Sequence, residues 1–242
     1  MNKSLDEILQ IADCVHIAGS RLYGTSTENS DIDLRGFWLP PAEVLLGRDN
    51  FDQIESSQQD ICIYSLPKFF KLLEIGSPNV LETLFVPENL IQRSTDVYKI
   101  MIEYRHLFIN DRIIKPIFGF SEGQWLNVTG YNTRKLGQKR KELVAQFGYD
   151  PKAAHHACRV LYQGYQLFRF GQINYPLDLR DFLLEIKLGN FSLEKVTTIY
   201  NDFRTMTQEA ERNTSLKSYN KKEVDSLYFD IIKPFLKDFY EK

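Results

Sequence analysis

The chain has 242 residues, 43% hydrophobic and 26% charged, with a formal net charge of −2. That balance suits a globular protein with a real core and excludes a chain coated in positive charge, so any nucleic-acid contact must use a local patch. The cysteines Cys14, Cys62 and Cys158 show no zinc-type spacing, no run approaches the roughly 20 apolar residues of a membrane span, and Met1–Glu7 lacks a signal-peptide core, so a cytoplasmic protein with reduced thiols and no membrane partner is expected.

Leu5, Ile8, Leu9 and Ala12 recur at helical spacing and predict a short opening helix. Val15–Ala18 reads as a buried strand, and residues 19–30, rich in Gly, Ser, Thr and Asn, as a turn, a short helix and a loop. Asp31–Leu39 reads as a second strand, stopped by Pro40-Pro41. Pro41–Gly47 fits a brief helix, and residues 48–59 are polar. Asp60–Ser65 forms a third β-rich run. Helices are expected over Leu66–Ile75, ending at Gly76, and from Ser77-Pro78, with Ser77 as cap and Glu82 capping or bracing it.

Beyond Val86-Pro87 no strand is expected. Helices are predicted near 95–105, 122–147, 151–170, 178–188, 192–211 and 221–240, with Ser121 and Gln124 as a capping box for the second. The fold class expected is therefore α+β: an α/β N-terminal part over residues 1–110 and an all-helical part over 111–242.

The chemistry concentrates near the N-terminus. Gly19-Ser20-Arg21-Leu22-Tyr23-Gly24 follows the apolar Val15–Ala18 run, and a glycine-serine turn offers backbone N–H groups of the kind that hold phosphate. If Asp31 and Asp33 share a strand, they point the same way, close enough to share metal ions. Asp60, opening the next β-rich run, fits a third carboxylate; Asp52 and Glu55 are its rivals in the preceding polar stretch. A phosphate holder beside paired carboxylates points to metal-dependent transfer at phosphorus.

Gly19-Ser20, Gly24, Ser30-Asp31-Ile32-Asp33 and Asp60 together resemble the DNA polymerase β-like nucleotidyltransferase superfamily. Three further stretches resemble its RNA-repair-pathway polymerase β family: Tyr64–Leu73, Ser77–Phe85 and Lys152–Arg159. The resemblance implies a small mixed sheet flanked by helices, with a nucleoside triphosphate and two Mg²⁺ or Mn²⁺ ions at its edge. It implies that Gly19 and Ser20 hold the β- and γ-phosphates, that Asp31 and Asp33 bind both metals, and that Asp60 binds the catalytic metal and helps activate the acceptor hydroxyl.

Lys152, His156 and Arg159 stand at i, i+4 and i+7 and share one face of a helix, a face suited to triphosphate, whereas His155 points elsewhere by about 100°. The expected nucleotide-binding set is Gly19, Ser20, Arg21, Ser30, Lys152, His156 and Arg159. Arg134, Lys135, Lys139, Arg140 and Lys141 form the densest basic cluster, either a solvated helix face or a steering patch for RNA with Trp125 or Tyr131 available to stack. The function these readings favour is a nucleotidyltransferase that uses a nucleoside triphosphate, with RNA or tRNA as acceptor. The alternatives are a protein-modifying AMP or UMP transferase and a non-catalytic nucleotide-binding module of toxin–antitoxin type.

Overall fold

The computed structural model describes residues 4–47, 51–56, 60–129 and 138–241. Five strands make one mixed sheet: β1 (Cys14–Ile17), β2 (Asp33–Trp38), β3 (Gln53–Ser56), β4 (Asp60–Ser65) and β5 (Ile91–Ser94). Their order across the sheet is β3-β4-β2-β1-β5, and only β2 and β4 run parallel. Six short helices interleave with them: α1 (Leu5–Ile11), α2 (Gly19–Tyr23), α3 (Ala42–Leu45), α4 (Leu66–Glu74), α5 (Pro78–Leu81) and α6 (Asp96–Glu103). A helical region follows, with α7 (Ile114–Val128), α8 (Gln138–Phe147), α9 (Pro151–Phe170), α10 (Arg180–Leu188), α11 (Leu193–Arg212) and α12 (Lys221–Tyr240). The architecture is α+β, a sheet-bearing N-terminal part with a helical C-terminal region. Among the described residues no helix is long and apolar enough to cross a membrane.

Strand alternation explains how the sheet divides its labour. Leu34, Ile61, Ile63 and Val15 point to one face, where they pack with Ile8, Ala12 and Ile54 into a small core that α1 helps cover. Cys14 and Phe37 point to the other face and join the main core, which continues through α4 and α9 to Ile232 in α12. Asp33 and Arg35 precede Phe37 by four and two residues on β2, so this second face carries them at its open end.

Helix α9 centres the helical region. It starts on Asp150, whose carboxylate accepts from the Ala153 N–H at 3.0 Å, with Pro151 in the first turn. It ends at Gly171 in the left-handed region, φ +68°. Fifteen of its twenty residues are buried, because α7, α10 and α11 all pack around it.

The structure corrects four expectations. A strand does follow Val86-Pro87: β5 is a short polar edge strand, Ile91-Gln92-Arg93-Ser94, and its backbone pairing with β1 forms it despite the lack of an apolar run. The polar stretch before Asp60 holds β3, in which Ile54 is the buried residue. Helix α7 begins at Ile114, not near 122, because Pro116 falls in the first turn, where its missing N–H costs no helix bond. Ser121 is therefore no cap; it sits buried in mid-helix and donates to the Ala157 carbonyl of α9 at 3.0 Å. Finally, β2 begins at Asp33, so Asp31 and Ile32 lie in the preceding loop.

Candidate active site

A cavity of about 1060 Å³ opens between the ends of β2 and β4 and the helices α7, α8, α9 and α10. Its sheet side is built by register. Asp33 and Asp60, the first residues of their strands, are directly paired across the parallel β2–β4 ladder. Their carboxyl groups stand close enough to shift one another's titration. Burial raises the Asp33 carboxyl above the ordinary carboxylate range, and Asp60 adds to the rise. At Asp60 burial also pushes upward, but the Arg35 guanidinium, 2.7 Å from its Oδ1, outweighs this and holds the carboxyl below the ordinary range. Arg35 also donates to the Asp60 backbone carbonyl at 2.8 Å and its own neighbour Leu34 at 2.9 Å. It locks the two strand ends together.

Gly19 stands over this pair. Its φ is +61°, and a Cβ there would lie 1.7 Å from Asp33 Oδ2, so both the backbone angle and the space admit glycine alone. Helix α2 begins at this glycine without a side-chain cap from Ala18, which leaves its leading N–H groups beside the carboxylates. Ser20 lines the cavity with it.

The loop after Gly24 brings Thr27, Asn29, Ser30 and Asp31 to the same cavity. Ser30 closes a turn by accepting from the Thr27 N–H at 2.8 Å. Arg21 does not line the cavity; its Nη2 donates to the Ser30 carbonyl at 3.1 Å and braces the loop from behind. Lys187 of α10 donates to the Thr25 carbonyl at 2.8 Å and itself faces the cavity. Asp31 is exposed on this loop, and among the described residues no three such side chains converge to hold an ion.

Helix α9 supplies Lys152, His155, His156 and Arg159. Lys152 is exposed. Burial and the nearby Arg159 and Lys152 charges push His156 down to about 3, so its imidazole is neutral at pH 7. His155 also reaches the cavity, contrary to the single-face expectation, and its ring meets that of His156 edge-on at 5.4 Å. A face this broad is possible because the cavity wraps around α9 toward both α8 and α10. Arg159 is 1% exposed and is not a free cation. Its Nη1 lies 3.2 Å from Glu82 and 2.9 Å from Gln163 Oε1, and its guanidinium covers the Tyr23 ring at 4.1 Å. The Tyr23 hydroxyl donates to Glu82 at 2.9 Å. Glu82 thus belongs to a buried network that ties α2 to α9, a larger role than bracing its own helix.

Of the basic cluster, Arg134, Lys135 and the Lys139 side chain, with Tyr131, lie outside the described residues. Arg140 lines the cavity and reaches Asp150 at 3.5 Å. Trp125 stacks on Tyr200 with centroids 4.0 Å apart and planes within 5°, so that ring is already partnered. Sequence reasoning missed Arg35 and Lys187. Strand alternation from Asp33 carried a signal for Arg35. Nothing local marked Lys187, which reaches the site through the packing of α10 on α9.

The neutral histidines make a pH prediction. His16, on β1, is fully buried between the Ile17 carbonyl and Thr83 Oγ1, each 3.1 Å away, and burial lowers its value to about 4. A histidine depressed from about 6.5 binds fewer protons folded than unfolded, so its stabilising contribution is present above that value and is lost as pH falls toward the folded one. Stability should therefore drop between about pH 6.5 and 4, by on the order of 3 kcal/mol for His16 alone. Urea titrations at pH 7 and 4.5 check this, and a His16→Gln variant should show a smaller drop.

The chain is similar to known proteins over most of its length. An uncharacterized 38.9 kDa protein of Enterobacteria phage T4, from the nrdC-mobD intergenic region, is 23% identical over 313 residues, spanning 88% of this chain and 93% of the phage protein. Residues 14–230, which include both strands of the carboxylate pair and the whole of α9, match the RNA repair pathway DNA polymerase beta family, and the chain belongs to that family.

Proposed function

We propose that this protein is a metal-dependent nucleotidyltransferase that moves a nucleoside monophosphate from a nucleoside triphosphate to an acceptor hydroxyl, with RNA as the favoured acceptor. One observation carries the reading: the Asp33–Asp60 pair lies against the Gly19-Ser20 turn in a cavity that Lys152 and Lys187 also line. Carboxylates and cations lining one cavity suit a metal-bound reacting phosphate with a charged polyphosphate tail.

The donor set fits Mg²⁺ or Mn²⁺. Two adjacent carboxylates, one of them raised by burial and by its neighbour, offer hard oxygens that suit a divalent cation. Asp33 and Asp60 would hold the ions, with Asp31 joining from the loop. Bound there, the metal would supply charge that offsets the negative charge on the reacting phosphate.

The chain's own residues account for the rest. The leading N–H groups of α2 point donors at the phosphates, and Gly19 allows their close approach. Lys152 and Lys187 balance the outer phosphates. His156, neutral in the free protein, donates a hydrogen bond without adding a fixed charge. Arg35 keeps Asp60 ionised and aimed at Asp33. In the transfer, the acceptor oxygen bonds to the α-phosphorus and the α–β phosphoanhydride bond breaks. Pyrophosphate leaves, and the hydroxyl proton passes to the carboxylate pair. The family's RNA-repair description supports RNA as acceptor; a protein hydroxyl is the other outcome.

Calorimetric titration with nucleoside triphosphates tests the binding half of this reading. Binding that requires Mg²⁺ or Mn²⁺, and that weakens by about tenfold or more in Lys152→Ala or Lys187→Ala, is the expected result. Affinity indifferent to the metal and to both lysines would remove it.

A further inference from the structure

The cavity has a third wall that the transfer chemistry leaves unused. Phe120 and Gln124 stand one turn apart on α7 and both line the cavity, with Leu143 of α8 beside it. Helix α7 is held against α9 by the Ser121 bond to the Ala157 carbonyl, so this face has a fixed position. Its chemistry is an aromatic ring, a carboxamide and an aliphatic side chain, unlike the charged groups that line the rest of this space.

Gln124 supplies the discriminating fact. Its Oε1 is buried and has no hydrogen-bond partner. Buried acceptors are ordinarily satisfied, and one left alone costs about 1–3 kcal/mol. Of the nine such orphan side-chain atoms among the described residues, four belong to Gln124, His155 and Arg159, which line this cavity. The shortfall is therefore concentrated where a ligand would sit. A phosphate cannot repair it at Gln124, because phosphate oxygens accept and do not donate. A group that carries a donor satisfies this oxygen, and the Phe120 ring lining the same wall favours a planar, unsaturated one.

We infer that Phe120, Gln124 and Leu143 form the nucleobase subsite, taking the base of the incoming nucleotide. Every base presents an N–H donor next to an acceptor on its edge, the complement of a carboxamide. Every base also has a π-face for Phe120. The base sits on the α7–α8 wall while the triphosphate runs toward Asp33 and Asp60, which uses the length of a cavity too large for a triphosphate tail alone. This assignment rests on the nucleotidyltransferase reading and adds to it the part of the substrate that sets affinity for one triphosphate over another.

The test compares ligands that differ only in the base. Binding of the four ribonucleoside triphosphates and of ribose 5′-triphosphate is measured by calorimetry with Mg²⁺ present, on the full chain and on Phe120→Ala and Gln124→Leu. Wild type should bind at least one nucleoside triphosphate about tenfold more tightly than ribose 5′-triphosphate. Each variant should lose most of that advantage, with ribose 5′-triphosphate bound as before. Gln124→Leu should melt no lower than wild type, since it removes an unsatisfied acceptor and keeps the side-chain bulk. That stability readout separates lost recognition from a damaged fold.

Equal affinity of wild type for ribose 5′-triphosphate and all four nucleotides would overturn the subsite while leaving the phosphate and metal assignments standing. So would variants that weaken both ligand types alike. Failure of wild type to bind any triphosphate would overturn the subsite and the nucleotidyltransferase reading together.

Discussion

Asp33→Asn should give a folded protein whose nucleotidyl transfer falls by at least about 10³-fold, the scale seen when a central charge of an active site is removed. The same change should leave the melting temperature at pH 7 unchanged or raise it. The two effects have one cause. Asp33 is half-buried, faces Asp60 across the β2–β4 ladder, and has its carboxyl raised by burial and by that neighbour. An acid raised on folding binds more protons folded than unfolded, so its ionised form opposes folding as pH rises through that range. The amide removes the repulsion and keeps the shape. A position where the charged residue harms stability and the neutral one harms activity is a functional position. Transfer assays and thermal melts on one preparation check both halves. Full activity in Asp33→Asn would end its assignment, and a large fall in melting temperature would make its role structural.

Arg159→Ala should be the most destabilising substitution in the site. The guanidinium is 2% exposed, its partner Glu82 is 4% exposed, and the pair is joined to Gln163, Tyr175 and Tyr23 by hydrogen bonds. Removing one partner leaves a carboxylate stranded in the core, which costs about 3–5 kcal/mol. For a chain of this size that is a fall of about 6–20 °C in melting temperature. The double substitution Glu82→Met/Arg159→Met should fall less than Arg159→Ala alone, because no charge is then left unpaired. The sequence pattern groups Arg159 with Lys152 and His156 as a phosphate-facing set. The buried pair gives it a further task, holding Tyr23 and with it α2 against α9. Urea denaturation of wild type, Glu82→Met, Arg159→Met and the double variant measures the cycle. Additive losses would mean that the two side chains do not act as a pair.

Much of this architecture is legible in the chain, and for identifiable reasons. Val15–Ala18, Asp31–Leu39 and Asp60–Ser65 carry apolar residues in runs or alternation, and each overlaps a strand of the sheet. Pro151 at the start and Gly171 at the end bracket α9 in the way helix ends require. The misses share a physical character. β3 and β5 are short, polar and held by backbone pairing, a force that side-chain pattern does not record. The late start expected for α7 comes from taking Ser121 and Gln124 as its capping box, whereas the helix begins at Ile114 with Pro116 in its permissive first turn.

The site divides in the same way. Local motifs reveal Gly19-Ser20, Asp33 and Asp60, because turn and strand geometry act over a few residues. Distant packing decides the rest. Arg159 and Glu82 meet across 77 positions of sequence, and Lys187 and Thr25 across 162. No spacing rule connects such pairs, and it is their contacts that turn separate motifs into one enclosed cavity.

The most direct test of the central claim is transfer from α-labelled ribonucleoside triphosphates in Mg²⁺ or Mn²⁺, offered total RNA and total protein as acceptors, with Asp33→Asn and Asp60→Asn run in parallel. Metal-dependent label entering RNA, and absent with either variant, is the result predicted here. Label that enters neither acceptor, or that enters equally well with both variants, would contradict it.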